Sequence, residues 1–200
     1  MQVFPGKLPR IGGCHMIFKR LLFSLLAICL TLVGFACDDS ISGNSVDKPV
    51  IQYDVDVEKV TGFTAKDVVT GESISLSDFE GSVVLLNFVN YGCNSRQSEI
   101  VSSQLLVIRE LLQQRGDFVP VSVFCGCCPE DVLVDFTQEN NLDWPWILDT
   151  EYVIVQDYQQ QIGKYGYPTL VFIDASQTVR DITGYTEKEA LSAKIDEISQ

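Results

Sequence analysis

Hydrophobic and polar positions fall into blocks of recognisable period along this chain. The densest apolar block, Val83 to Val89 (VVLLNFV), is interrupted only by Asn87, which predicts a strand covered on both faces. Beyond Cys93, the residues Val101, Leu105, Ile108 and Leu112 share one face at helical spacing, predicting a helix stopped by Gly116. Phe118 to Phe124 reads as a second apolar strand, and Pro129-Glu130-Asp131 marks the start of a helix whose inward side is Val132, Leu133 and Phe136. Trp146 to Leu148 predicts a short strand and residues 150 to 163 a helix. Leu170 to Asp174 and Val179 to Thr183 then pair as a hairpin, and Thr186 to Glu189 reads as a capping box opening a last helix with Leu191, Ile195 and Ile198 inward. Upstream, Phe63 to Lys66 and Ser73 to Leu76 flank the turn Val69-Thr70-Gly71-Glu72, and Ser77 to Gly81 is a polar link into the central strand. Strand, helix, strand, helix, then a hairpin and a closing helix imply an α/β domain with a parallel core and an antiparallel edge.

Composition sharpens this picture. The chain has 200 residues, 46% hydrophobic and 20% charged, enough for one sizeable core. All 27 acidic residues follow position 36, while Lys7, Arg10, Lys19 and Arg20, four of the 14 basic ones, precede it; the remainder carries 10 basic against 27 acidic side chains, a net of −17. So acidic a surface argues against nucleic acid and anionic membrane faces as partners, and a merely soluble acidic domain is the plainer reading.

The leading stretch reads differently from the rest. Met16-Ile-Phe-Lys-Arg followed by LLFSLLAICLTLVGFAC has the basic start, apolar core and small residues of an export signal, so residues 1–36 are expected to be a leader, with Met16 a candidate start. Val33-Gly34-Phe35-Ala36-Cys37 resembles the lipobox of bacterial lipoproteins, which implies lipidation at Cys37 and a membrane-anchored protein of the bacterial cell envelope, facing the periplasm or exterior. Residues 37–60 form a Ser/Asp/Gly-rich tether, and residues 61–200 the globular domain.

Of seven cysteines, Cys14 and Cys29 belong to the leader and Cys37 to the anchor, leaving Cys93, Cys125, Cys127 and Cys128 in a compartment where disulfides form. The single histidine, His15, goes with the leader. A mature chain without histidine has no Ser/His/Asp or Cys/His mechanism and no imidazole for a metal. Its chemistry belongs to the thiols, and no cofactor is called for.

Cys93 follows a strand and opens a helix, where unpaired N–H groups, the helix dipole and the Arg96 guanidinium one turn on all favour a thiolate. The bland alternatives are a buried inert thiol and a surface pair between Arg96 and Glu99. Cys125-Gly126-Cys127-Cys128 holds a second C-x-x-C, again between a strand and a helix start. Three readings stay open: one of its thiols resolves Cys93; Cys125 and Cys128 form their own disulfide; or Cys93, Cys125, Cys127 and Cys128 hold a soft metal such as Cu(I) or Zn. Tyr167 is a candidate for lining a substrate groove.

GFTAKDVVTGESISLSDFEGSVVLLNF and YGYPTLVFID make residues 61 to 200 resemble thioredoxin-fold proteins of the TlpA/redoxin (AhpC/TSA-like) group. The resemblance implies a central mixed sheet flanked by helices, with an N-terminal β-hairpin extension. The family's W-C-x-x-C corresponds to Gly92-Cys93-Asn94-Ser95-Arg96, which keeps the nucleophile and puts arginine in place of the resolving cysteine. Asn87 stands where thioredoxins often carry a buried aspartate, and Glu99 matches a common family acid. Pro168 matches the family's cis-proline, with Tyr167 and Thr169 beside it as substrate-binding candidates. The implied activity is thiol-disulfide exchange, with protein thiols and disulfides or a small thiol as partners. A thiol peroxidase is the alternative enzyme, although Leu86 and Asn90 occupy the proline and threonine positions of P-x-x-x-T-x-x-C. A non-catalytic or Cu(I)-binding module is the alternative outside enzymes, and the missing histidine sets the chain apart from Sco-type copper chaperones.

Overall fold

The computed structural model describes residues 62–91, 95–163 and 166–200; the expected leader and tether, Cys37 and Cys93 lie outside them. In chain order, β1 (Thr64–Lys66) and β2 (Ser73–Ser75) form an antiparallel hairpin, followed by a 3-10 turn at Leu76–Phe79. Gly71 takes a φ of 78° in the hairpin's turn, a conformation that costs glycine least. The apolar run then forms β3 (Val83–Val89), buried at every position. It leads into α1 (Ser95–Leu112), β4 (Phe118–Cys125), α2 (Glu130–Glu139), β5 (Trp146–Asp149), α3 (Val153–Ile162), β6 (Thr169–Ile173), β7 (Val179–Thr183) and α4 (Lys188–Ile198).

The five longer strands make one mixed sheet in the order β5-β4-β3-β6-β7. β3, β4 and β5 are parallel, and β6 and β7 are antiparallel to their neighbours. Because β3, β4 and β5 advance in one direction along the sheet, right-handed crossovers place α1 and α2 on the same face. That face buries Leu85, Val89, Phe124 and Phe172 of the sheet against Leu105 of α1, Phe136 of α2 and Leu191 of α4. The opposite face buries Leu86, Phe88, Val123 and Val171 against Val155 and Tyr158 of α3 and Phe63 and Leu76 of the hairpin end. Each of these side chains contributes about 1.5–3 kcal/mol on leaving water.

The hairpin closes one side of the sheet. Asp67 forms an antiparallel bridge to Ile147, and its buried carboxylate accepts hydrogen bonds from the Trp146 amide (3.0 Å), the Val69 amide (3.0 Å) and the Thr70 hydroxyl (2.8 Å). An exposed ion pair between Lys66 and Glu130 (2.5 Å) adds a second tie between the hairpin and α2, of the kind worth little by itself.

Several local expectations are corrected. The capping box at Thr186 does not form: the N-cap is Glu187, and the Thr186 hydroxyl bonds instead with the Thr183 hydroxyl and the Gly184 carbonyl. Val132 is exposed, since the inward face of α2 is set by Leu133, Phe136 and Thr137. The third helix starts at Val153, three residues late, because the Asp149 carboxylate caps it by accepting from the Val153 (2.8 Å) and Val155 (3.0 Å) amides. Ile198 packs only partly on the core.

Candidate functional site

The carboxyl ends of β3, β4 and β5 and the entry to β6 meet at one end of the sheet. The last residue pairs there are Val89 with Phe124, Cys125 with Asp149, and Phe88 with Thr169. Cys93 follows β3 by four positions and precedes Ser95, the first residue of α1, by two. The backbone at Arg96 lies within α1.

The Tyr167–Pro168 peptide bond is cis, and Pro168 and Thr169 are buried while Tyr167 is half-buried. The Thr169 hydroxyl donates to the Gly166 carbonyl (2.6 Å), folding the loop back on itself. Tyr167 packs against both cores, so it stands at the rim between the two faces. Of the predicted groove residues, Tyr167 is therefore the one with a partly accessible side chain.

The C-G-C-C segment does not gather its thiols in one place. Cys125 is the last residue of β4 and shares the period-2 alternation of Val121 and Val123, so its side chain enters the α3 face and is fully buried. Its S–H donates to the Val123 carbonyl (3.7 Å), and the Tyr167 hydroxyl donates to its sulfur. Burial pushes the Cys125 thiol up to about 12, the nearby Asp149 charge adds to the rise, and the Tyr167 hydrogen bond only partly offsets it. Burial, together with the same sulfur, also pushes the Tyr167 phenol above its usual range.

Gly126 then turns the chain across the sheet end with a φ of 148°, a region that favours glycine. A Cβ on Gly126 would meet Asn90 Nδ2 at 3.4 Å, an ordinary contact, so it is the backbone angle that calls for glycine. Asn90 donates that amide to the Cys125 carbonyl (2.5 Å), fastening the end of β3 to the start of the loop. Cys127 is an exposed free thiol. Cys128 folds back against the opposite core, the one that holds α1 and α2; its amide donates to the Gly126 carbonyl (3.2 Å) and its S–H to the Pro129 carbonyl (3.4 Å). The C-x-x-C spacing thus puts Cys125 and Cys128 on opposite sides of the sheet. Among the described residues no group of three or more His, Cys, Asp or Glu side chains converges to hold a metal ion.

Tyr91, two positions before Cys93, lies on the same face as Cys128. Its ring stacks on Phe124 at 6.3 Å and meets Phe136 edge-on at 5.3 Å, and its hydroxyl shares a hydrogen bond with the Ser102 hydroxyl (3.3 Å). Burial pushes its phenol up to about 12, with the Ser102 bond acting in the opposite sense. Asn87 is fully buried, and neither polar atom of its amide has a partner among the described residues. An amide cannot take up or release a proton at neutral pH, so a proton relay at that position is absent.

Sequence reasoning missed Asp149 and Asn90, the two polar residues that hold this end of the sheet together. Asp149 had a signal, a carboxylate a few residues before an apolar helix pattern. Asn90 had none, since its bond spans two strands.

The buried thiol gives a simple expectation. In the native protein at mildly alkaline pH, iodoacetamide modifies Cys127 and leaves Cys125 untouched until the chain is unfolded, as peptide mass mapping will show. Rapid labelling of Cys125 in the native state would contradict the burial. The linked effect on stability has a definite sign: the folded thiol, near 12, titrates above its unfolded value of about 8.5. Its contribution is complete below that unfolded value and is lost as pH rises through the folded one.

Parallel strands β3 to β5, an antiparallel β6–β7 pair, helices on both faces and a cis-proline loop beside a strand-to-helix junction define a thioredoxin-like fold. The sequence matches the AhpC/TSA family model over residues 57–182, and the chain belongs to the AhpC/TSA family. A search of curated proteins returns no match. Among solved structures, the chain is similar to a secreted thiol-disulfide isomerase from Corynebacterium glutamicum, with 23% identity and a TM-score of 0.60 over 80% of this chain and 99% of that one. It is also similar to an exposed lipoprotein thioredoxin from Streptococcus pneumoniae, with 24% identity and a TM-score of 0.56 over 68% and 99%. A thiol:disulfide interchange protein from Chlorobium tepidum shares 20% identity, with a TM-score of 0.57 over 72% and 98%.

Proposed function

We propose that this protein is a thiol-disulfide oxidoreductase of the cell envelope in which Cys93 is the nucleophile. The observation that carries the reading is the junction of β3 with α1: a buried strand ends just before Cys93, and an 18-residue helix begins two positions after it. A thiol placed there feels the positive end of the helix, and thiolates are the attacking species in disulfide exchange. The cis-proline loop, entering β6 alongside β3, supports an extended substrate chain beside that junction. Cys93 attacks a substrate disulfide, and a second thiol, from the chain's own cluster or from solution, releases the substrate.

Neighbours described as secreted or exposed, together with the leader at residues 1–36 and the lipobox-like stretch ending at Cys37, support an envelope location with a lipid anchor. The acidic domain is consistent with a substrate that is a protein or small thiol rather than a polyanion.

The family name keeps thiol peroxidase as a second reading. Leu86 is buried on the α3 face and Asn90 spends its amide on the Cys125 carbonyl, so neither position offers a group to a peroxide at Cys93. One experiment separates the two: with dithiothreitol as reductant, the purified chain is assayed against a disulfide-containing protein and against hydrogen peroxide. Saturable disulfide reduction without saturable peroxide consumption is expected, and the opposite pattern would replace the reading with the peroxidase.

A further inference from the structure

One row of hydrogen-bonding side chains crosses the end of the sheet on its α3 face. Counted on from the Phe88–Thr169 and Val89–Phe124 pairs, Asn90 lies level with Tyr167 on one side and with Cys125 on the other. Cys125 pairs in turn with Asp149. The alternation that sends Phe88, Val171, Val123 and Ile147 to the α3 face carries on to Asn90, Tyr167, Cys125 and Asp149.

Within this row Asn90 gives its amide to the Cys125 carbonyl (2.5 Å), and Asp149 spends both carboxylate oxygens on the Val153 and Val155 amides. Tyr167 reaches past Asn90 to the Cys125 sulfur, to which its hydroxyl donates. Because β3 lies between β4 and β6, that reach spans two strand spacings of about 4.8 Å each, and the Tyr167 side chain crosses the carboxyl end of β3. The sulfur lies at the bottom of the contact, fully buried, with its own S–H on the Val123 carbonyl (3.7 Å). Tyr152 closes the patch from the α3 side. It packs half-buried against the same core with a φ of 60°, and its hydroxyl lies 3.8 Å from where a Cβ on Gly126 would stand. The Cys125 thiol is placed to accept a hydrogen bond, not to react. Burial pushes it up to about 12, so at neutral pH it is uncharged and supplies no thiolate for disulfide exchange. A thiol also behaves as a small hydrophobe, which suits an acceptor set among valines and aromatic rings.

We propose that Cys125 is a positioning residue, whose buried sulfur anchors the Tyr167 hydroxyl and so fixes the Tyr167 ring across the end of β3 for the substrate chain to lie against. This rests on the reading of the protein as a thiol-disulfide oxidoreductase. Cys125 takes no part in electron transfer. It acts on the affinity for substrate through Tyr167, whose loop leads directly into β6.

The test measures kcat and KM of the purified full chain for reduction of a disulfide-containing protein, with dithiothreitol as reductant. Tyr167→Phe and Cys125→Ala each raise KM by about three- to tenfold, the range that one lost hydrogen bond spans, and leave kcat within about twofold. Combined, they do no more than either alone, because each removes the same bond. Cys125→Ser keeps an acceptor while losing thiol chemistry, so its KM and kcat stay within about twofold of wild type. Loss of turnover in Cys125→Ser as complete as in Cys93→Ser makes Cys125 a redox thiol and overturns the proposal. So do a KM in Cys125→Ser raised as far as in Cys125→Ala, an unchanged KM in Tyr167→Phe or Cys125→Ala, and additive effects in the double variant. A wild-type chain without disulfide reduction overturns the oxidoreductase reading itself, and the positioning role with it. Tyr167→Phe and Cys125→Ser nearly keep the volume of the residues they replace, so a Cys125→Ala chain that fails to fold leaves the test decisive.

Discussion

Cys93→Ser removes disulfide reduction, lowering turnover of a disulfide-containing protein by about a thousandfold or more against the wild-type chain. The size follows from the chemistry. A serine hydroxyl stays protonated where a cysteine at a helix start is ionised, and an alkoxide equivalent is not available to attack sulfur at neutral pH. In the proposed mechanism the α1 dipole acts only on a charge, so a serine leaves it nothing to stabilise. No histidine follows His15 in the sequence to serve as an alternative base. The measurement is the initial rate with dithiothreitol as reductant, corrected for the uncatalysed reaction. A variant that keeps a third or more of the wild-type rate would remove Cys93 from the mechanism.

Trp146→Ala unfolds the domain at lower denaturant, at a cost of about 3–5 kcal/mol. Trp146 is fully buried and heads the largest side chains of the core. Its ring meets Phe136 edge-on at 6.1 Å and stacks with Trp144 at 6.0 Å, joining β5 to α2. Truncation leaves a cavity that two aromatic neighbours and a sheet strand cannot collapse to fill. At about 2–4 °C per kcal/mol for a domain of this size, the melting temperature falls by roughly 10 °C or more. Trp146→Phe costs far less, because the indole Nε1 has no hydrogen-bond partner among the described residues and its loss orphans nothing. Urea unfolding followed by circular dichroism measures both variants; equal costs for Ala and Phe would show that aromatic packing is not what Trp146 supplies.

Much of the architecture was legible because it rests on local pattern. Val83–Val89 and Val179–Thr183 appear as strands with the bounds read from the sequence, since an apolar run between turn residues has few other uses. Pro129 marked the start of α2, one position outside the helix. What local pattern could not give is the competition between neighbouring groups. Thr186 had the spacing of a capping box, yet its hydroxyl found Thr183 across the turn, and its amide donates to Gln104 of α1 (2.7 Å).

The cysteine cluster teaches the sharper lesson. As a string, C-G-C-C reads as a C-x-x-C plus one. Alternation along β4 already implied that Cys125 shares a face with Val121 and Val123, and that reading required counting from the strand rather than from the motif. The crossing to the other face needed Gly126 and the Asn90 amide, a contact that only the sheet's register reveals.

The hairpin contact at Asp67 has a consequence for how these molecules behave in company. A terminal strand with bare N–H and C=O groups is a template on which another chain can pair, the usual first step toward aggregation. By occupying the Trp146 amide and bridging Ile147, Asp67 leaves β5 poorly suited to that role. Of the two outer strands, β7 has no further strand paired on it among the described residues, and its exposed Arg180, ion-paired with Asp174, sets a charged group along that edge.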